Sequence, residues 1–205
     1  MARIPWRLVA GCERFKVLDR EFYERPTEQV ARELLGKLLV HELEGERLAG
    51  RIVEVEAYLG EHDPAAHASA GRTRRTAVLY GPGGHAYVYL IYGMYECLNL
   101  VAEGAGSPGC VLIRALEPVA GIDQMRRRRQ VQDLRQLASG PGKLTRAMGI
   151  TRAHTGVDVT RGVLTVQTDG VEPEEIVTGP RIGVRKAADW PLRFSVAWNQ
   201  FVSRG

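Results

Sequence analysis

Two glutamates two residues apart, Glu54 and Glu56, stand in the segment RIVEVEAYL (51–59), and Tyr58 continues the same alternation. Residues i and i+2 of a strand point to one face about 6.5–7 Å apart. Two carboxylates and a phenol therefore share a face opposite Val53, Val55, Ala57 and Leu59. Such a face is either solvated or the floor of a cleft in which a carboxylate activates water. Five tyrosines, Tyr80, Tyr87, Tyr89, Tyr92 and Tyr95, fall within 16 residues. Tyr87 and Tyr89 share a strand face and read either as core rings with hydroxyl partners or as the walls of a pocket. Tyr92 sits beside Gly93 and Met94 between two strand-like runs, where few neighbours exist to bury it. A bulky tip flanked by Arg72, Arg74, Arg75 and Arg126 to Arg129 suits a wedge in the minor groove of DNA.

Other chemistries lack their residues. His62 and His67 stand five apart, His85 and His154 stand alone, and no ligand spacing for a metal results. SGPGKLT (139–145) has Leu137 where a phosphate loop needs Gly and Leu144 where it needs Ser or Thr. A helix starting there, with Lys143, can still meet a single phosphate through its N–H groups. No serine elbow exists, neither Cys97 nor Cys110 has a local histidine, and no lysine lies near the Tyr and Glu segments. A carboxylate acting on water remains, and no cofactor is expected.

These residues need elements to hold them. DREFYERPTEQVARELLGKLLV (19–40) carries one helical pattern with Thr27 as N-cap, and 51–59 predicts a strand. Residues 60–84, rich in Gly, Pro, Ala, Thr and Arg, predict a long functional loop. AYVYLIY (86–92) and ECLNLVA (96–102) predict a hairpin, and CVLIRAL (110–116) a third strand that leaves through Glu117 and Pro118. A helix with a ragged stripe is expected across 119–137, another from Pro141, and a strand at 162–168. The fold class is α+β: a single compact domain, mainly antiparallel curved sheet with flanking helices and a protruding hairpin whose tip suits insertion into DNA.

Composition sets the outer bounds. The chain has 205 residues, 44% hydrophobic and 25% charged, which fits one globular domain over 1–205, with 1–18 as an N-terminal extension. Three cysteines, Cys12, Cys97 and Cys110, favour a reducing compartment over a disulfide framework. No run approaches the ~18 apolar residues of a membrane span, so no membrane partner is expected. A cytoplasmic, nucleoid-associated protein follows for a bacterium and a nuclear one for a eukaryote. The net charge of +4 hides an uneven distribution. Residues 64–155 hold 12 Lys or Arg against 5 Asp or Glu, whereas residues 1–63 hold 10 against 13. An arginine-rich centre suits planar contact with phosphate, although a merely solvated basic face also fits it.

RIVEVEAYLGEHDPAAH (51–67), AYVYLIYGMYECLNLV (86–101) and VLIRALEP (111–118) closely resemble the alkyladenine, or 3-methyladenine, DNA glycosylase family. The likeness continues through SGPGKL (139–144), GPRIGV (179–184) and PLRF (191–194). The resemblance implies a base-excision-repair enzyme that flips an alkylated or deaminated purine out of duplex DNA and hydrolyses its N-glycosidic bond. It implies Glu56 as the base that activates water, with Arg114 holding that water and a nearby phosphate. Tyr58, His67 and Tyr89 would stack on the extruded base, and His67 would also offer its edge a hydrogen bond. Asn99 would crowd the amino group of normal guanine. Tyr92 would fill the vacated place in the stack, with Met94 and Leu112 beside it and Arg72 and Lys143 as further DNA contacts. The implied partner is double-stranded DNA with damaged purines, met by a monomer. The loop 73–84 departs from the family, with Arg75-Thr76 where Arg-Asn is common and Leu79-Tyr80 where Met-Phe is common. Two other readings stay open: a carbohydrate hydrolase using Glu54 and Glu56 as paired carboxylates, and a non-catalytic lesion binder.

Overall fold

Thirteen residues, Glu46–Tyr58, make the longest strand, and the main sheet is organised about it. In chain order the strands are β1 (Trp6–Leu8), β2 (Lys16–Val17), β3 (Leu38–Leu43), β4 (Glu46–Tyr58), β5 (Ala86–Ile91), β6 (Tyr95–Ala102), β7 (Gly109–Ala120), β8 (Leu164–Thr168), β9 (Val171–Pro173), β10 (Ile176–Gly179) and β11 (Arg193–Val196). The helices are α1 (Arg20–Tyr23), α2 (Thr27–Leu34), α3 (Ile122–Arg129), α4 (Leu134–Leu137) and α5 (Pro141–Met148). This computed structural model describes residues 5–8 and 15–203. Residues 1–4 and 9–14 of the expected N-terminal extension, Cys12 among them, lie outside the described residues.

The main sheet runs β2-β8-β3-β4-β7-β6-β5, with every described pairing antiparallel. β4 is long enough to use one edge twice. Its first half pairs with β3, and Glu54 to Glu56 pair with β11, which also holds β10. β7 occupies the other edge, with register shifts around Ala49/Gly50 and from Ile52 to Val55. Such bulges bend a strand and break its alternation. Consequently Ile52 and Val53, neighbours in sequence, both join the main core. That core packs α2, α5 and Met125 of α3 against the sheet. A smaller cluster, Ala68, Leu79, Tyr87, Val101 and Cys110, gathers the half-buried rings of Tyr58, Tyr80 and Tyr89. The fold is the expected α+β domain.

Several expected elements differ in extent. The helical pattern of 19–40 is interrupted: α1 stops at Tyr23, Pro26 stands at the N-cap position of α2, and a turn at Leu35 and Gly36 leads into β3. Proline restrains the residue before it and cannot donate a helical N–H, so one continuous helix is ruled out there. Thr27 is consequently the first helical residue, not the cap, and its hydroxyl donates to Glu103 Oε1 at 2.5 Å. β7 does not end at Glu117 and Pro118 but continues to Ala120, because Pro118 falls opposite Gly50 at a bulge, where no ladder donor is required. The helix expected over 119–137 divides into α3 and α4. Gln130, at φ +54°, ends α3, and the Asp133 carboxylate accepts from Arg135 N–H to start α4. β10, β11 and the small β1–β9 sheet were not expected from the sequence.

Phe194 shows what this packing demands. Fully buried in β11, it pairs with Val55 and lies 4.2 Å beneath the guanidinium of Arg32. Phe194→Ala should cost about 3–5 kcal/mol of stability, measured by urea unfolding; a loss under about 1 kcal/mol would contradict this packing.

Candidate active site

A cavity of about 700 Å³ opens on the face of the sheet that carries Tyr58, Tyr87 and Tyr89. Glu56 lines its floor and has no exposed surface. Its Oε1 accepts from Ile182 N–H at 2.7 Å and lies 3.1 Å from Arg114 NH1. Its Oε2 accepts from Tyr58 OH at 2.9 Å. Burial pushes the carboxyl above the usual carboxylate range, with the Arg114 charge, Ile182 N–H and Tyr58 OH recovering only part of that shift. Glu56 is thus a carboxyl able to take up a proton, and not merely an ion locked by Arg114.

Glu54 is different. Its Oε1 receives Arg114 Nε and Arg193 NH1, both at 3.2 Å, and its Oε2 receives Ser203 N–H at 2.7 Å. It does not line the cavity. The expected carboxylate pair therefore has one member facing the cavity and one holding Arg114. This counts against a two-carboxylate attack on a glycan, which needs both groups free to meet substrate.

Tyr89 and His67 meet edge to face at 4.5 Å between ring centres, and Tyr87 lies 5.6 Å from Tyr89. Arg75 donates to Tyr87 OH at 3.2 Å and to His67 Nε2 at 3.3 Å. A guanidinium only donates, so Nε2 is the acceptor and the His67 proton sits on Nδ1, 2.9 Å from Tyr87 OH. Burial, and then the nearby Arg75 charge, pull the His67 pKa down to about 4, which leaves a neutral ring at pH 7. Both ring nitrogens are thereby engaged within the protein. Asn99 is buried and donates Nδ2 to Tyr87 O at 3.1 Å. Cys97 and Cys110 also line the cavity, but burial raises their thiols to about 11 and about 12, so neither is a ready thiolate.

The β5–β6 hairpin rises at the rim. Tyr92, at φ +53°, and Gly93, at φ +69°, turn the chain. Tyr92 is 76% exposed and Met94 68%. Tyr95 seats the hairpin on α5: a Cβ on Gly142 would come within 2.8 Å of its ring. Tyr92 lines the cavity mouth, whereas Leu112, expected beside it, is buried in β7 opposite both Glu56 and Asn99. Arg72 lies apart from the cavity, near the Tyr80 ring. The basic run 126–129 does not flank Tyr92 as a block. Arg126, Arg127 and Arg128 pair with Asp123, Glu46 and Glu44, and Arg129 alone lines the cavity.

Sequence reasoning assigned no roles to Ile182, Gly183 to Lys186 or Ser203, and it named Lys143 as a DNA contact while finding no lysine near the Tyr and Glu segments. Lys143 and Lys186 in fact line the cavity, with Arg129 and Arg185. Among the described residues none of these four cations forms an ion pair. The GPRIGV segment was a signal for this region, but nothing local shows that its Ile182 N–H reaches Glu56. Among the described residues no group of three His, Cys, Asp or Glu side chains is placed to hold a metal ion, and no helix is long and apolar enough to cross a membrane.

Tyr58→Phe deletes one donor to the ionised carboxyl and should raise the Glu56 pKa further, by ~1 unit. Carboxyl NMR titration of glutamate-labelled protein checks this, and an unmoved resonance would contradict the bond.

Known proteins give an independent comparison. The profile of the family described as methylpurine-DNA glycosylase matches residues 21–200. A protein of Methanoculleus marisnigri is 52% identical over 191 residues, covering 91% of this chain and 98% of its own. One of Methanocella arvoryzae is 56% identical over 179 residues, covering 86% and 89%, and one of Alkaliphilus oremlandii 48% over 199 residues, covering 91% and 98%. Each is a 3-methyladenine DNA glycosylase by provisional assignment.

Proposed function

The chain belongs to the methylpurine-DNA glycosylase family and is a DNA glycosylase, a hydrolase of N-glycosyl bonds; from that premise we propose that it flips alkylated or deaminated purines out of duplex DNA and hydrolyses their N-glycosidic bonds with a water activated by Glu56. The observation that carries this reading is the buried Glu56 on the floor of an aromatic-walled cavity whose lining includes exposed Tyr92 and four cations without ion pairs. The substrates are purines of the 3-methyladenine, hypoxanthine and ethenoadenine class.

Chemistry on a stacked base requires extrusion, which costs a few kcal/mol and least for a damaged pair. Tyr92 takes the vacated place in the duplex, with Met94 beside it at the tip. The cations at the rim meet the backbone phosphates. The purine enters between Tyr58, His67 and Tyr89, whose electron-rich faces favour an alkylated, cationic base. A neutral His67 avoids repelling that charge. Asn99, held on Tyr87 O, crowds the exocyclic amino group of guanine.

Water attacks C1′ as the bond to the purine breaks, and the bonding electron pair leaves with the base. Glu56 accepts the water proton and stabilises the cationic sugar, while Arg114 holds the water and a phosphate. The product is free purine and an abasic site. With water rather than an amine as the nucleophile, the reaction ends at the abasic site without strand cleavage. One lesion needs one such site, which a monomer supplies.

Glu56→Gln should slow single-turnover release of hypoxanthine from duplex DNA by at least about 10²-fold and leave lesion binding nearly unchanged. Chromatography of the freed base checks the first outcome, and retained excision would remove Glu56 from its role. The base must be ionised to act, so wild-type activity should fall as pH drops through the raised Glu56 pKa. If about six phosphates are met, the log–log salt slope of DNA affinity should be near −5; a flat response would contradict the proposed cation contacts.

A further inference from the structure

The most enclosed ion pair of the described residues lies directly behind this site. Arg181 and Asp63 are paired with both side chains 0% exposed, and neither lines the cavity. Asp63 also accepts from Leu59 N–H at 3.2 Å and Ala65 N–H at 3.0 Å. Arg181 donates NH2 to Asp63 at 2.9 Å and NH1 to Ala57 O at 3.1 Å. Its guanidinium stands 4.7 Å from the centre of the Tyr58 ring. The next residue is Ile182, whose N–H donates to Glu56 at 2.7 Å. One planar group thus touches Tyr58 and is a single peptide away from the backbone donor.

We propose that Arg181, clamped by Asp63, is a positioning residue that governs the aim and ionisation of Glu56 through Tyr58 and the Ile182 N–H. This rests on the reading of Glu56 as the base of a glycosylase. A buried ion pair adds little net stability over an apolar replacement. What it adds here is direction, since a guanidinium has several donors in one rigid plane. The two buried carboxyls illustrate the division of labour. Burial tends to raise both pKa values. At Asp63 the hydrogen bonds from Arg181, Ala65 and Leu59 outweigh burial and hold the group ionised. At Glu56 burial prevails, leaving a group able to accept a proton. Lysine at 181 can keep a charge opposite Asp63, but it cannot also hold Ala57 O and lie flat on Tyr58.

The test is single-turnover release of hypoxanthine from a duplex, measured against pH, for wild type, Arg181→Lys and Ile182→Pro. Arg181→Lys should lower the plateau rate about tenfold and move the acid limb to higher pH by ~1 unit, because Glu56 loses donors to its ionised form. Affinity for the lesion duplex should stay within about threefold. Ile182→Pro deletes the N–H without removing either charge of the ion pair, and it should move the limb in the same direction. If the lysine variant does not fold, Asp63→Asn, which loosens the clamp on Arg181, takes its place under the same expectation, and an unmoved acid limb there overturns the proposal. A rate loss with an unmoved acid limb means only structural damage and overturns the proposal. A limb that moves in Ile182→Pro but not in a folded Arg181→Lys also overturns it. Wild type that releases no purine from any lesion duplex instead overturns the glycosylase reading, which separates the two failures.

Discussion

A carboxyl group with no exposed surface must find its solvation inside the protein, and Glu56 finds it in three different places. Arg114 comes from β7, Ile182 from the segment after β10, and Tyr58 from β4 itself. Removing a carboxylate from water is costly without charged or hydrogen-bonding partners. The partners here are separated by up to 126 residues of chain. The sheet must therefore close around β4, with β7 on one edge and β11 on the other. Glu54 extends the same demand: it binds Arg114, Arg193 of β11 and the Ser203 N–H near the C-terminus. The two glutamates bring together segments that no local propensity would join.

The rim follows the opposite rule. Tyr92 and Met94 stay exposed at a turn where Tyr92 adopts a left-handed φ that disfavours a bulky residue. Arg129, Lys143, Arg185 and Lys186 line this opening without an ion pair among the described residues, whereas the neighbouring Arg126, Arg127 and Arg128 are all paired. Exposed apolar surface, backbone strain and uncompensated charge are each unfavourable in an isolated domain. Their concentration around one opening fits a surface that meets an anionic, stackable partner. The hairpin is nevertheless not loose, because Tyr95 packs on Gly142 and Thr145 donates to Glu96 O at 2.9 Å.

Much of this was legible in the chain. The alternation at 51–59 placed the central strand, the Gly93 gap placed the hairpin, and Pro141 marked the start of α5. What failed did so for definite reasons. The 19–40 pattern kept its apolar spacing across Pro26, so periodicity could not see the break. Pro118 looked like a strand exit because the bulge that accommodates it depends on Gly50 of another strand. The run 126–129 looked like a DNA-facing block because its partners, Glu44 and Glu46, lie some eighty residues away.

The sequence alone determined which residue types were present for chemistry and the short-range elements carrying them: a carboxylate on a strand, clustered tyrosines, an exposed aromatic tip. It also carried the motifs that identify the family. Those features depend on neighbours within a few residues, where backbone period and turn chemistry act. The motifs already singled out Glu56 of the two glutamates, whereas tertiary structure alone decided what holds Glu54, which arginines stay unpaired, and which backbone N–H supports Glu56. Those outcomes depend on burial and on hydrogen bonds between distant segments, and neither quantity exists until the sheet has closed.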